Sequence, residues 1–245
     1  MKKIIKLYIC IFFIPLSLCY AVEHKEDKKW QLHLELSFVK TGGNTNTETV
    51  SLKFDTSRKN LTNKFFLKGN GLYAKTEEEE SAARLDIKGR WERMFTEYLF
   101  SFITTGFLTD RFSGYEYRIN GGPGVGYYLI QKEDKEIKIL SSLLFYKDRE
   151  YMYPFKEDSY TSADLEAFIK VGLTKNLFLK GYVSYSVSLN DREKYFISGD
   201  ISLEVSINTN ISMGIGYQIY YQNKLPDPSV KRLDTTFLTS LIINI

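Results

Sequence analysis

The stretch Trp30-Gln31-Leu32-His33-Leu34-Glu35-Leu36-Ser37-Phe38 alternates apolar and polar residues without a break. Successive side chains of a strand point to opposite faces, so this segment has one oily face and one wet face. A helix would spread the same charges around its whole surface. The pattern recurs down the chain. Val50, Leu52 and Phe54 alternate with Ser51, Lys53 and Asp55, and Leu85, Ile87 and Trp91 with Arg84, Asp86, Lys88 and Arg90. Tyr195, Ile197, Ile201, Leu203, Val205 and Ile207 alternate with Ser198, Asp200, Ser202, Glu204 and Ser206.

Twelve such segments are expected, near 30–40, 48–58, 63–75, 83–94, 98–110, 115–130, 136–147, 160–173, 177–189, 195–207, 211–223 and 232–245. Most reach the roughly 9–11 residues that a tilted strand needs to cross a bilayer. Soluble strands are usually about five or six residues long. Long links are expected at 41–47, 75–82, 110–115, 148–159, 190–194 and 223–231, with the 148–159 link the longest, and tight links at 95–97, 174–176 and 208–210. Long loops on one side and tight turns on the other, with an even strand count, predict a closed antiparallel transmembrane β-barrel. Trp30, Tyr73, Trp91, Tyr117, Tyr195 and Tyr221 fall near the ends of apolar rows, where a bilayer interface favours amphipathic rings. A soluble β-sandwich also alternates, but tends to shorter strands.

Residues 1–21 read as a cleaved signal peptide. Lys2, Lys3 and Lys6 precede an apolar run from Leu7 to Leu18, and Cys19-Tyr20-Ala21 closes it with a small residue. Residues 22–29 form a short tail on the periplasmic side, and 30–245 the barrel. Three of the 33 basic residues lie in the leader, so the rest of the chain balances its 30 acidic residues. That balance removes the case for a nucleic-acid partner. Both cysteines, Cys10 and Cys19, are also in the leader, which leaves no disulfide and no thiolate chemistry in the mature chain.

Gly43-Asn44-Thr45 after the first strand, and Asp110 to Arg118 leading into Gly122-Pro123-Gly124-Val125-Gly126-Tyr127, give the chain a further likeness. In this order it resembles the family of salt-stress-induced bacterial outer-membrane proteins, whose domain is of unknown function. The resemblance implies a barrel in the bacterial outer membrane and supplies no reaction, ligand or catalytic residue. Expected partners are outer-membrane lipid, lipopolysaccharide and, during insertion, the barrel-assembly machinery.

The polar faces are expected to line the lumen. They carry Glu35, Lys53, Asp55, Lys68, Arg84, Asp86, Lys88, Arg90, Glu92, Arg118, Glu166, Lys170, Lys180, Asp200, Glu204 and Asp234. Two readings stand: a wetted narrow channel whose charges select small polar solutes or ions, or a barrel filled by internal ion pairs. Barrels of about eight strands are filled by side chains and those of 16–18 leave an aqueous pore, so twelve lies between. Asp110, Arg111, Tyr115 and Arg118 bracket a candidate mouth loop, which either binds an anionic solute or lipopolysaccharide or holds a capped turn with an ion pair.

The run Glu77 to Glu80 reads as a solvated loop tip, with divalent-cation recruitment as the other reading. Tyr151 to Phe155 is an aromatic segment that either gates the mouth or packs on the rim. Gly121, Gly122, Gly124 and Gly126 continue into a strand rather than a helix, so they read as space for large neighbours, not as a phosphate loop. Only His24 and His33 follow the leader, and neither is placed for serine hydrolysis or zinc binding. No enzyme activity, cofactor or metal is expected.

Overall fold

The computed structural model describes residues 30–41, 47–60, 62–77, 79–151, 154–225 and 231–245. The expected leader at 1–21 and the expected tail at 22–29 lie outside these residues. Twelve strands follow in order: β1 (Trp30–Thr41), β2 (Thr47–Lys59), β3 (Asn63–Thr76), β4 (Glu79–Met94), β5 (Leu99–Asp110), β6 (Tyr115–Gln131), β7 (Lys135–Glu150), β8 (Glu157–Gly172), β9 (Leu177–Ser188), β10 (Tyr195–Ser206), β11 (Ile211–Gln222) and β12 (Leu233–Asn244). Each pairs antiparallel with its sequence neighbours, and β1 pairs with β12 to close the barrel. Closure leaves no sheet edge along the paired wall, which is what a strand needs in a medium without water.

The oily rows lie on the outside. Leu36, Phe38, Leu52, Ile103, Leu143, Leu165, Ile201, Met213 and Phe237 are all exposed. Their polar neighbours face inward, as bonds between strands far apart around the wall demonstrate. Lys53 on β2 reaches Asp200 on β10, and Lys88 on β4 reaches Glu166 on β8. An outward apolar band around a closed sheet is the form a β-barrel takes in a bilayer. Aromatic rings mark its two ends. Phe65 stacks on Trp91 and Tyr98 lies beside Tyr127 at the turn end, while Tyr185, Tyr195 and Tyr221 form a row at the loop end with centroids 5.8 and 6.0 Å apart.

Two expected loops are shorter than the composition predicts. The acidic stretch is a tight link, because β3 runs to Thr76 and β4 begins at Glu79. Lys75 faces Glu80 across the ladder, and opposite charges in register favour strand over loop. Glu77 takes a left-handed conformation (φ 51°) to make the turn, while Glu78 is outside the described residues. Likewise β7 continues to Glu150 and β8 starts at Glu157, so Asp148 and Ser159 are strand residues. The longest connection at the loop end is 223–232, not the aromatic one.

The glycines of β6 give room to β5. A Cβ on Gly126 would sit 2.2 Å from Phe100 Cζ, and one on Gly124 at 2.2 Å from Phe102 Cζ. Both rings fold over these glycines into the interior, where Phe100 is fully buried.

Candidate functional site

The interior has two unlike halves. On β2, at Lys68 of β3 and from Arg84 to Lys88 of β4 the inward charges remain wet, whereas Arg90 and Glu92 further along β4 are buried. Asp55 pairs with Lys68 at 3.0 Å, yet the two side chains keep 37% and 46% of their surface exposed. Lys53 lies 3.4 Å from both Glu35 and Asp200, and Gln218 donates to the same Asp200 oxygen at 2.9 Å. Arg84 approaches Asp86 at 3.5 Å, and Asp86 is 42% exposed. Charges inside a closed wall can hold that exposure only if water-sized space lies beside them.

Strands β5 to β8 enclose the opposite case. Glu166 is 4% exposed and is clamped by Lys88 at 2.7 Å and by Arg90, whose Nη2 lies 2.8 Å from both carboxylate oxygens. The ring of Phe102 lies under the Arg90 guanidinium at 4.6 Å. Phe100, Phe102, Tyr128 and Leu140 form a dry cluster, with Met94 and Phe168 against it. Nearby, Lys138 is held by Glu136 at 3.0 Å and by the rings of Tyr128 and Phe168. Burying these charges is tolerable because each has a partner; an isolated one would cost far more.

Toward the loop end, Arg118 forms the centre of a second dry cluster. Its Nε and Nη2 donate to the two Asp148 oxygens at 2.9 and 3.0 Å, and Nη1 donates to Tyr220 Oη at 3.1 Å. The guanidinium lies 4.1 Å from the ring centres of both Tyr115 and Phe196. Lys194 reaches Asp148 at 3.0 Å and Asp158 at 2.8 Å, and Tyr160 donates to Asp148 at 3.2 Å. Leu144 and the stacked rings of Tyr146 and Tyr160 complete the packing. Tyr146 also donates to Asp164, which accepts from Ser186 as well.

The four mouth-loop residues do not act together. Asp110 caps its turn by accepting from Ser113 N at 3.0 Å, and it lies 3.8 Å from Arg84. Gly114, at φ 87°, completes that turn. Arg118 and Tyr115 point inward and are buried, whereas Arg111 stays outside over Tyr151. Phe155 lies under Arg149 at 4.7 Å, so both described aromatic ends of that link pack on the rim. The remaining inward charges are spread along the wall. Lys180 pairs with Glu204, Asp234 accepts from Ser113, Lys170 lies over Phe178, and Glu92 is buried. His33 Nδ1 is 2.8 Å from Asn244 Oδ1, beside the β1–β12 seam.

Residues with large roles in the dry half escaped the sequence reading: Phe100, Phe102, Lys138, Asp148, Tyr160, Lys194 and Phe196. A signal did exist. Leu99-Phe100-Ser101-Phe102-Ile103 places apolar residues on both faces of one strand, which a wetted lumen does not ask for.

Closure, the outward apolar band and an inward charged lining define a transmembrane β-barrel protein. The profile of the family described as "Protein of unknown function, DUF481" matches residues 34–245, and the chain belongs to that family. No match was found among curated proteins. Among solved structures, the chain is similar to a NanC porin (9% identity, TM-score 0.49, covering 87% of this chain and 97% of that one). It is also similar to the COG4313 outer membrane channel from Pseudomonas putida F1 (7%, 0.48, 91% and 99%) and to a KdgM porin in complex with disordered oligogalacturonate (8%, 0.44, 87% and 96%).

Proposed function

We propose that this protein is an outer-membrane barrel that acts as a narrow channel for small polar solutes or ions. The conducting path is the wet side of the lumen along β2, β3 and β4. The observation that carries the reading is the contrast inside one wall: Asp55, Lys68 and Asp86 keep 37%, 46% and 42% of their surface to water, while Glu166 keeps 4%. The dry half narrows the lumen and stiffens it, so the path passes small solutes and excludes large ones. A selective pore is set by the charges that line its narrow part. Lipopolysaccharide at the loop end, the assembly machinery during insertion and a link to salt or envelope stress belong to the same proposal.

Purified protein in planar bilayers is expected to give small, stable conductance steps. Lys68→Glu shifts the reversal potential in a salt gradient toward cations. A trace closed at all voltages overturns the channel reading. It would favour a second one, a non-conducting envelope barrel, for which the cross-lumen ties at Glu166 and Arg118 are the specific support.

A further inference from the structure

The wet side has an internal order that goes beyond the charge of any single residue. The strand register places Asp55, Lys68 and Lys88 side by side on β2, β3 and β4. The next inward rung holds Lys53, Asn70 and Asp86, and the one after it Ser51, Leu72 and Arg84. Sign therefore alternates along β2 (Asp55, Lys53) and along β4 (Lys88, Asp86, Arg84). Inward rungs are two residues apart, or about 7 Å along a strand. Each exposed charge also has a partner of opposite sign close by: 3.0 Å for Asp55 and Lys68, 3.4 Å for Lys53 and Asp200, and 3.5 Å for Arg84 and Asp86.

This pattern is poorly suited to a solute of one sign. A lone cation meets a repelling ammonium or guanidinium at every rung, and a lone anion meets a carboxylate at Asp55 and at Asp86. With Glu35 and Asp200 beside Lys53, the four cations of these rungs face four carboxylates, so neither ion finds a net charge to draw it in. A solute carrying both signs a few bonds apart can take the place of both partners of a pair at once. Its ammonium end also finds aromatic faces that already hold cations, since Phe168 lies 5.4 Å from Lys68 and Tyr220 lies 4.7 Å from Arg84. The geometry points to small zwitterions, molecules with one ammonium and one carboxylate group, as the preferred solutes of this path. The inference rests on the channel reading above and deepens it.

Swelling of proteoliposomes separates the two. Glycerol, small and neutral, reports whether a path exists at all. Alanine, lactate and isopropylamine then compare a zwitterion, an anion and a cation of similar size. Alanine is expected to enter severalfold faster than either ion, and the joint variant Asp55→Asn with Lys68→Met to lose that preference. No swelling with glycerol overturns the channel reading itself. Swelling with glycerol but equal or slower entry of alanine overturns the zwitterion inference alone. So does a preference for alanine that survives in the joint variant, once heat-modifiable migration shows that the variant is folded.

Discussion

Asp148→Asn is the sharpest test of the dry half. Four donors converge on this carboxylate: Arg118 Nε at 2.9 Å and Nη2 at 3.0 Å, Lys194 Nζ at 3.0 Å and Tyr160 Oη at 3.2 Å. Its side chain is 1% exposed and that of Arg118 is 5% exposed, so water cannot replace what is lost. Asparagine keeps the volume, removes the charge and turns an NH2 group toward donors. Lys194 retains Asp158 at 2.8 Å, but Arg118 is left as a buried cation with no carboxylate. Breaking a buried pair in this way costs about 3–5 kcal/mol. The folded-to-unfolded ratio should then fall by roughly two to three and a half orders of magnitude. Urea titration in lipid vesicles, followed by heat-modifiable gel migration, reads the change. Replacing the pair as a unit, Arg118→Met with Asp148→Leu, should recover most of the loss, because no uncompensated charge remains. A shift for Asp148→Asn below about 1 kcal/mol, the usual worth of an exposed pair, would refute the reasoning and mean that the Arg118 cluster is wet.

Three further outcomes follow from the same wall. Gly126→Val drives a side chain into the Phe100 ring and should cost about 1–3 kcal/mol, whereas Phe100→Ala leaves a cavity and should cost about 3–5 kcal/mol, both by the same titration. Ile201→Arg places a charge in the middle of the outward band of β10 and should cost about 2–4 kcal/mol in vesicles, while Asp200→Asn, one residue away on the inner face, should cost much less. At the loop end, a hydrogen bond from Lys224 holds the Asp191 carboxyl below the usual aspartate range and ties the 189–194 link to the chain after β11. That tie is present above the ordinary aspartate value and lost as pH falls through the lowered one. Amide exchange across 189–194 should therefore match that of Asp191→Asn at low pH and be slower at neutral pH; equal exchange at both would remove the tie.

Periodicity alone carried the sheet. An inward or outward side chain is decided by odd or even position, so Trp30 to Phe38 or Tyr195 to Ile207 need no partner to be read correctly. Most of the twelve strands are legible for this reason; β5, apolar on both faces from Leu99 to Ile103, is the exception. The two misjudged links were composition arguments, and composition is weaker than register. Four glutamates in a row look like a loop until Lys75 is found opposite Glu80. Asp148 reads as a loop residue until Arg118, thirty positions away, is found beneath it. The divided lumen was less legible still. Arg90 and Lys68 are equivalent letters in an alternating strand, yet one is 8% exposed and the other 46%.

The sequence by itself determined that the chain forms long two-faced strands, how many there are and which face is oily, because these follow from local alternation and the chemistry of a bilayer. Only the tertiary structure decided which inward charges are clamped dry and which stay wet. That depends on which side chains meet across the lumen, between strands up to half the barrel apart, and no local pattern encodes those distances.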